Sequence, residues 1–152
     1  MLALLAVAVV TNPYFPLAPG MRWEYRGVEG GAPARDVVTV SSRNETIDGV
    51  QCAVVRDLLY HRGRLVERTT DFYAQDDAGN VHYYGEDTAE LDSRGRIKST
   101  EGTWRAGRDG ARPGIFMPAH PRRGQTFQQE DYPGHAEDRF SIMSSGSRAL
   151  KT

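Results

Sequence analysis

Residues 50–84 read VQCAVVRDLLYHRGRLVERTTDFYAQDDAGNVHYY. Val50, Cys52 and Val54, then Val66, Thr70 and Phe72, then Val81 and Tyr83, are separated by even numbers of residues, the spacing of side chains that share one face of a β-strand. An amphipathic helix needs three- and four-residue spacing, which this stretch does not keep. Between the runs stand His61-Arg62-Gly63-Arg64 and Asp76-Asp77-Ala78-Gly79-Asn80, residue types that supply turn geometry. Two hairpins follow. Outward from this stretch the pattern repeats: Trp23 and Tyr25, then Val38 and Val40 alternate upstream, with Asp48-Gly49 as the turn before Val50, and Ser93-Arg94-Gly95-Arg96 marks another turn downstream. Strands joined by short turns make an antiparallel meander, whose unpaired edges favour curling. The chain is therefore expected to be all-β, an antiparallel meander forming a curved sheet or partly open barrel, and no stretch reads as a helix.

The second half is punctuated differently. Between Trp104 and Gly124 fall Gly107, Gly110, Pro113, Gly114, Pro118 and Pro121, which predicts a long Gly/Pro-rich loop laid over the sheet and pinned by Ile115, Phe116 and Met117. A last strand pair is expected at 126–132 and 136–143, on either side of Pro133-Gly134. Residues 12–143 thus form a single β-rich domain, and 144–152, which have no period, a flexible tail. Residues 1–11 read either as a signal-peptide remnant or as an edge strand. The apolar run LALLAVAVV at 2–10 is far short of the roughly 20 residues that span a bilayer. Ala6-Val7-Ala8 offers small residues at a cleavage spacing, although no Lys or Arg precedes the run.

The chain has 152 residues, and its 19 Lys plus Arg against 20 Asp plus Glu leave a formal net charge of -1. Nothing in that balance attracts nucleic acid or an anionic membrane. A single cysteine, Cys52, excludes an intrachain disulfide and any zinc site of paired cysteines. No serine stands in a Gly-x-Ser-x-Gly elbow, and no Gly-rich phosphate loop is present, so nucleotide cofactors are not expected.

Three constellations are left that carry chemistry. His135 and Glu137, two apart, point to the same side of a strand, and His120 lies in the loop that folds over it, a donor set for a divalent metal. The plainer alternative is a polar turn. Asp71 alternates with Tyr73 and Gln75 on one face, and Glu86 closes the next strand, so burial would split these two carboxyls into an acid and a base, as glycoside hydrolysis requires. The plainer alternative is the wet side of a sheet. Trp23, Tyr25, Tyr73, Tyr84 and Trp104 are spread over several strands and the loop, where large rings on a curved sheet either fill it or line an apolar pocket. The leading expectation is a non-catalytic β-domain that binds a small hydrophobic or lipid-like molecule, or a partner chain. The alternative is a small hydrolase, metal-assisted through His135, Glu137 and His120 or carboxylate-driven through Asp71 and Glu86.

Asn12-Pro-Tyr-Phe-Pro-Leu-Ala-Pro-Gly20, Trp23-Glu-Tyr25, Tyr73-Ala-Gln-Asp76, Gly79-Asn-Val81, Tyr84-Gly-Glu-Asp-Thr88 and Gly134-His-Ala-Glu-Asp138 are the segments that carry a resemblance. In them the chain resembles a family of uncharacterised bacterial proteins, mostly exported. The resemblance covers most of residues 12–139 and implies a β-rich extracytoplasmic domain, secreted or periplasmic, with no activity to carry over. From Phe140 onward the likeness stops, whereas relatives continue with further strands. That implies a C-terminally shortened chain, by truncation or a change of frame, whose open strand edges would template a homodimer.

Overall fold

A computed structural model describes residues 8–144 and Gly146; the apolar run before residue 8 and most of the tail after 144 lie outside the described residues. Eleven strands and no helix are found among them: β1 (Arg22–Glu29), β2 (Ala32–Ile47), β3 (Val50–His61), β4 (Arg64–Gln75), β5 (Val81–Leu91), β6 (Ile97–Ser99), β7 (Trp104–Arg105), β8 (Arg112–Met117), β9 (Thr126–Gln128), β10 (Glu130–Asp131) and β11 (Arg139–Ser141). The main sheet runs β1-β2-β3-β4-β5-β8-β10 with β6 and β7 also paired to β5, and β9 pairs with β11 in a small second sheet. Every pairing is antiparallel. The sheet curls into a half-barrel, as the alternation and the turns lead one to expect.

Two-residue turns set this course. Asp48-Gly49 and Arg62-Gly63 both have positive φ at each residue, 48° and 76°, then 50° and 79°, the geometry whose twist matches that of the flanking strands. Gly30-Gly31 does the same between β1 and β2, with φ of 55° and 77°. The Gly/Pro-rich stretch is more ordered than the punctuation predicts. β7 and β8 lie within it, Trp104 paired to Glu86 and Gly114 to Tyr83. Prolines and glycines are tolerated there because β8 is short and irregular, with a register shift opposite Val81 and His82. The terminal pair is also shorter than expected: Thr126–Gln128 does pair with Arg139–Ser141, but Glu130–Asp131 turns away to pair with β8.

Cross-strand partners share a face, so the register defines two surfaces. On one lie, row by row, Ala53-Tyr73-Tyr83, then Val40-Val55-Asp71-Glu86, then Trp23-Val38-Asp57-Thr69-Thr88, then Tyr25-Asp36-Leu59-Glu67-Glu90. The segment before β1 packs over the first of these rows: Val10 bridges Leu17, both are buried, and the Phe15 ring meets Tyr73 edge-on at 5.1 Å. This is the inner face. The opposite face carries Phe72, which is fully buried and covered by the Arg105 guanidinium at 4.4 Å, with Cys52 nearby in the same core.

Candidate functional site

The inner face changes character along its rows, and the functional side chains sit at the change. At the apolar end Tyr73 and Tyr83 stack at 4.9 Å, and Phe116 from β8 meets Tyr73 at 4.9 Å and Phe15 at 4.6 Å. Tyr73, Phe116 and residues of the segment 14–21 line a cleft of about 370 Å³ together with Trp23, Tyr25, Val38 and Val55. The size is at the lower end for small-molecule sites. Two charged groups line it, Asp57 and Asp71. The same two residues open onto a neighbouring hollow of about 260 Å³ lined otherwise by Asp36, Leu59, Glu67, Thr69 and Glu86.

Asp71 is 9% exposed and accepts a 2.7 Å hydrogen bond from the Tyr83 hydroxyl. Burial pushes its pKa up to about 6, and the Tyr83 bond opposes that rise by favouring the ionised form. Glu86, its direct cross-strand partner, is pushed up to about 8 by burial and then by the Asp71 charge. Asp57 likewise rises to about 8 through burial and the adjacent Asp36. Asp36 Oδ1 is buried and has no hydrogen-bond partner, so a proton held on Asp57 satisfies both carboxyls at once. The Cys52 thiol on the far face is held up to about 12 by burial, which makes it a packing group and not a nucleophile.

Of the rings singled out in the sequence, Trp23, Tyr25 and Tyr73 line the cleft. Tyr84 and Trp104 do not line it. Tyr84 sits at the register shift of β5, where its carbonyl accepts the Ala106 N–H, and Trp104 is a buried core residue meeting Tyr83 edge-on at 5.5 Å. Asp71 and Glu86 face each other. The metal donors do not converge: His135 stacks on Tyr132 at 4.3 Å, Glu137 accepts the Gly134 N–H and closes its own turn, and His120 lies in the exposed loop after β8. Among the described residues no three His, Cys, Asp or Glu side chains gather closely enough for a metal ion. Sequence reasoning missed Asp36 and Asp57 as acids of the site. The two strand acids carried one signal, a charged residue on an otherwise apolar alternating face.

No family model matches the chain, and no curated protein or solved structure matches it either.

Proposed function

We propose that the protein is a non-catalytic binding domain that holds a small hydrophobic molecule in the cleft lined by Phe15, Trp23, Tyr25, Tyr73 and Phe116. The observation that carries this reading is the partial exposure of large rings around one concavity: Tyr25 is 55% and Tyr14 59% exposed, although the domain has other apolar surface to cover. Rings that served only as core would be closed over. The extracytoplasmic setting implied by the family resemblance belongs to the same proposal. The fluorescence of N-phenyl-1-naphthylamine, displaced by 1-octanol, tests it. Binding is expected, and Trp23→Ala is expected to weaken it about tenfold, the scale of losing one large apolar contact. Absence of any displaceable fluorescence would remove the reading.

One observation favours a second reading. Asp71 and Glu86 oppose each other directly and differ in acidity, so near neutral pH one is mostly ionised and the other mostly protonated, the states a base and an acid need. Turnover of chromogenic glycosides, lost in both Asp71→Asn and Glu86→Gln, would establish it. The binding reading stands first because Asp71 is only 9% exposed and its carboxyl is already engaged by the Tyr83 hydroxyl.

A further inference from the structure

Eight acidic residues elsewhere on the protein, among them Glu24, Glu45, Asp87 and Asp131, have an arginine, lysine or histidine within ion-pair distance. The carboxyls that line the cleft and its adjoining hollow have no such cation beside them. Asp36, Asp57, Glu67, Asp71 and Glu86 share two adjoining hollows, and no Lys, Arg or His lines either one. Asp36 Oδ1 is buried, and the only group that satisfies it is a proton held on the Asp57 carboxyl. Beside these acids the cleft is lined by the rings of Trp23, Tyr25 and Tyr73, aromatic side chains whose π-clouds attract cations. A concavity whose polar and aromatic walls are both electronegative complements a cation. Among the described residues no three of these carboxyls gather closely enough for an inorganic ion, and the apolar rings beside them suit a larger charged group on an apolar body.

We propose that the cleft takes an organic cation, an amine or quaternary ammonium on an apolar body, with the body among Phe15, Trp23, Tyr73 and Phe116 and the charged head against Asp57 and Asp71. This rests on the cleft reading above and specifies its ligand class. The head meets charged and titratable groups from every strand beneath it: Asp36 on β2, Asp57 on β3, Glu67, Asp71 and Tyr73 on β4, and Tyr83 and Glu86 on β5, with Glu130 and Asp138 beyond Glu86. Burial and repulsion from neighbouring carboxylates keep Asp71 protonated up to about 6, and Asp57 and Glu86 up to about 8. A bound cation would favour their ionised forms, so binding releases protons and strengthens as pH rises through that range.

The test compares n-octylammonium, 1-octanol and n-octanoate as displacers of N-phenyl-1-naphthylamine, at about pH 5 and about pH 9, a range that brackets the acids' titrations. At the higher pH the ammonium is expected to bind about tenfold or more tightly than the alcohol, the scale of one charge-assisted hydrogen bond, and the carboxylate more weakly than both. At the lower pH the preference for the ammonium should largely vanish. Asp57→Asn with Asp71→Asn should abolish it and leave 1-octanol binding in place. Equal binding of ammonium and alcohol at the higher pH would overturn the cation assignment and leave the cleft reading standing; failure of all three probes would overturn both. The comparison on the unaltered chain decides the matter even if the double variant does not fold.

Discussion

Asp71 concentrates the chemistry of the inner face in one side chain. Its carboxyl ordinarily titrates near 3.8 and here near 6, so the folded chain keeps the proton to higher pH than the unfolded chain does. The stability this group contributes is complete below about pH 4 and is lost as pH rises through about 6, and the raised Glu86 and Asp57 extend the decline toward about 8. Asp71→Asn still accepts the Tyr83 hydroxyl and cannot ionise, so it should flatten the first part of that decline and add on the order of 2–3 kcal/mol at neutral pH. Tyr83→Phe should do the reverse. It removes a buried bond at a cost of about 1–2 kcal/mol and the one contact that favours ionised Asp71, so the carboxyl should titrate above about 6. Urea unfolding midpoints across pH, with carboxyl-carbon NMR for the titration, check both. An unchanged slope in Asp71→Asn would mean that the group does not carry the linkage.

At the scale of strands, what could be read in the sequence was alternation, and what could not was register. The turns at Asp48-Gly49, Arg62-Gly63 and residues 76–80 were legible because only a few residue types take those backbone angles. A two-residue turn alone would pair Asp57 with Arg68 and so place it on the far face from Asp71. The register shift between Leu59 and Tyr60 moves the pairing by one, which puts Asp57 opposite Thr69 and beside Asp71. A second shift, between Phe72 and Tyr73 on β4 with Tyr84 as the extra residue on β5, sets Asp71 opposite Glu86. The candidate pair was visible as two carboxyls on neighbouring strands, but the bulges that join them with Asp57 and Asp36 were not, since no residue type marks a bulge reliably. Gly85 holds the second bulge. Its φ is 119°, and a Cβ there would lie 2.2 Å from the Trp104 carbonyl oxygen. Gly85→Ala is therefore expected to cost about 3 kcal/mol or more by separating β7 from β5. Gly95→Ala, in an open turn with nothing within 4 Å, should cost only about 1–2 kcal/mol of backbone strain. Equal urea midpoints for the two variants would show that the β5–β7 contact does not constrain the sheet.

For the molecule as a whole, the cleft exists because a segment far away in sequence is tied across the sheet, and Asn12 is the knot. It is 2% exposed. Its amide nitrogen donates to the Gly79 carbonyl at 2.9 Å and the Pro118 carbonyl at 3.2 Å, and its amide oxygen accepts the Tyr14 N–H at 2.9 Å. Gln75 Oε1 accepts the N–H groups of Thr11 and Asn12 as well. One side chain thus joins the first segment, the β4–β5 turn and the exit of β8, and it sets Tyr14, Phe15, Pro16 and Leu17 in place as a wall of the cleft. The sequence shows Asn12-Pro13 only as a turn, because both carbonyls it serves lie more than sixty residues away. Asn12→Ala should cost about 3 kcal/mol, for three bonds lost and their buried partners left unpaired. Asn12→Asp is the sharper probe: it sets a carboxylate oxygen against two carbonyl oxygens, so the acid must stay protonated in the fold. Its pKa is then raised, and the stability it contributes is lost as pH rises above the ordinary range near 4. Urea midpoints should therefore place Asn12→Asp near the unaltered chain at about pH 4 and well below it at about pH 7, a difference between pH values that Asn12→Ala does not show. Because the same knot holds the cleft wall, 1-octanol affinity should fall with stability in Asn12→Asp and recover in acid. A variant that loses stability at neutral pH yet binds 1-octanol undiminished would separate the wall from the site and count against the cleft itself.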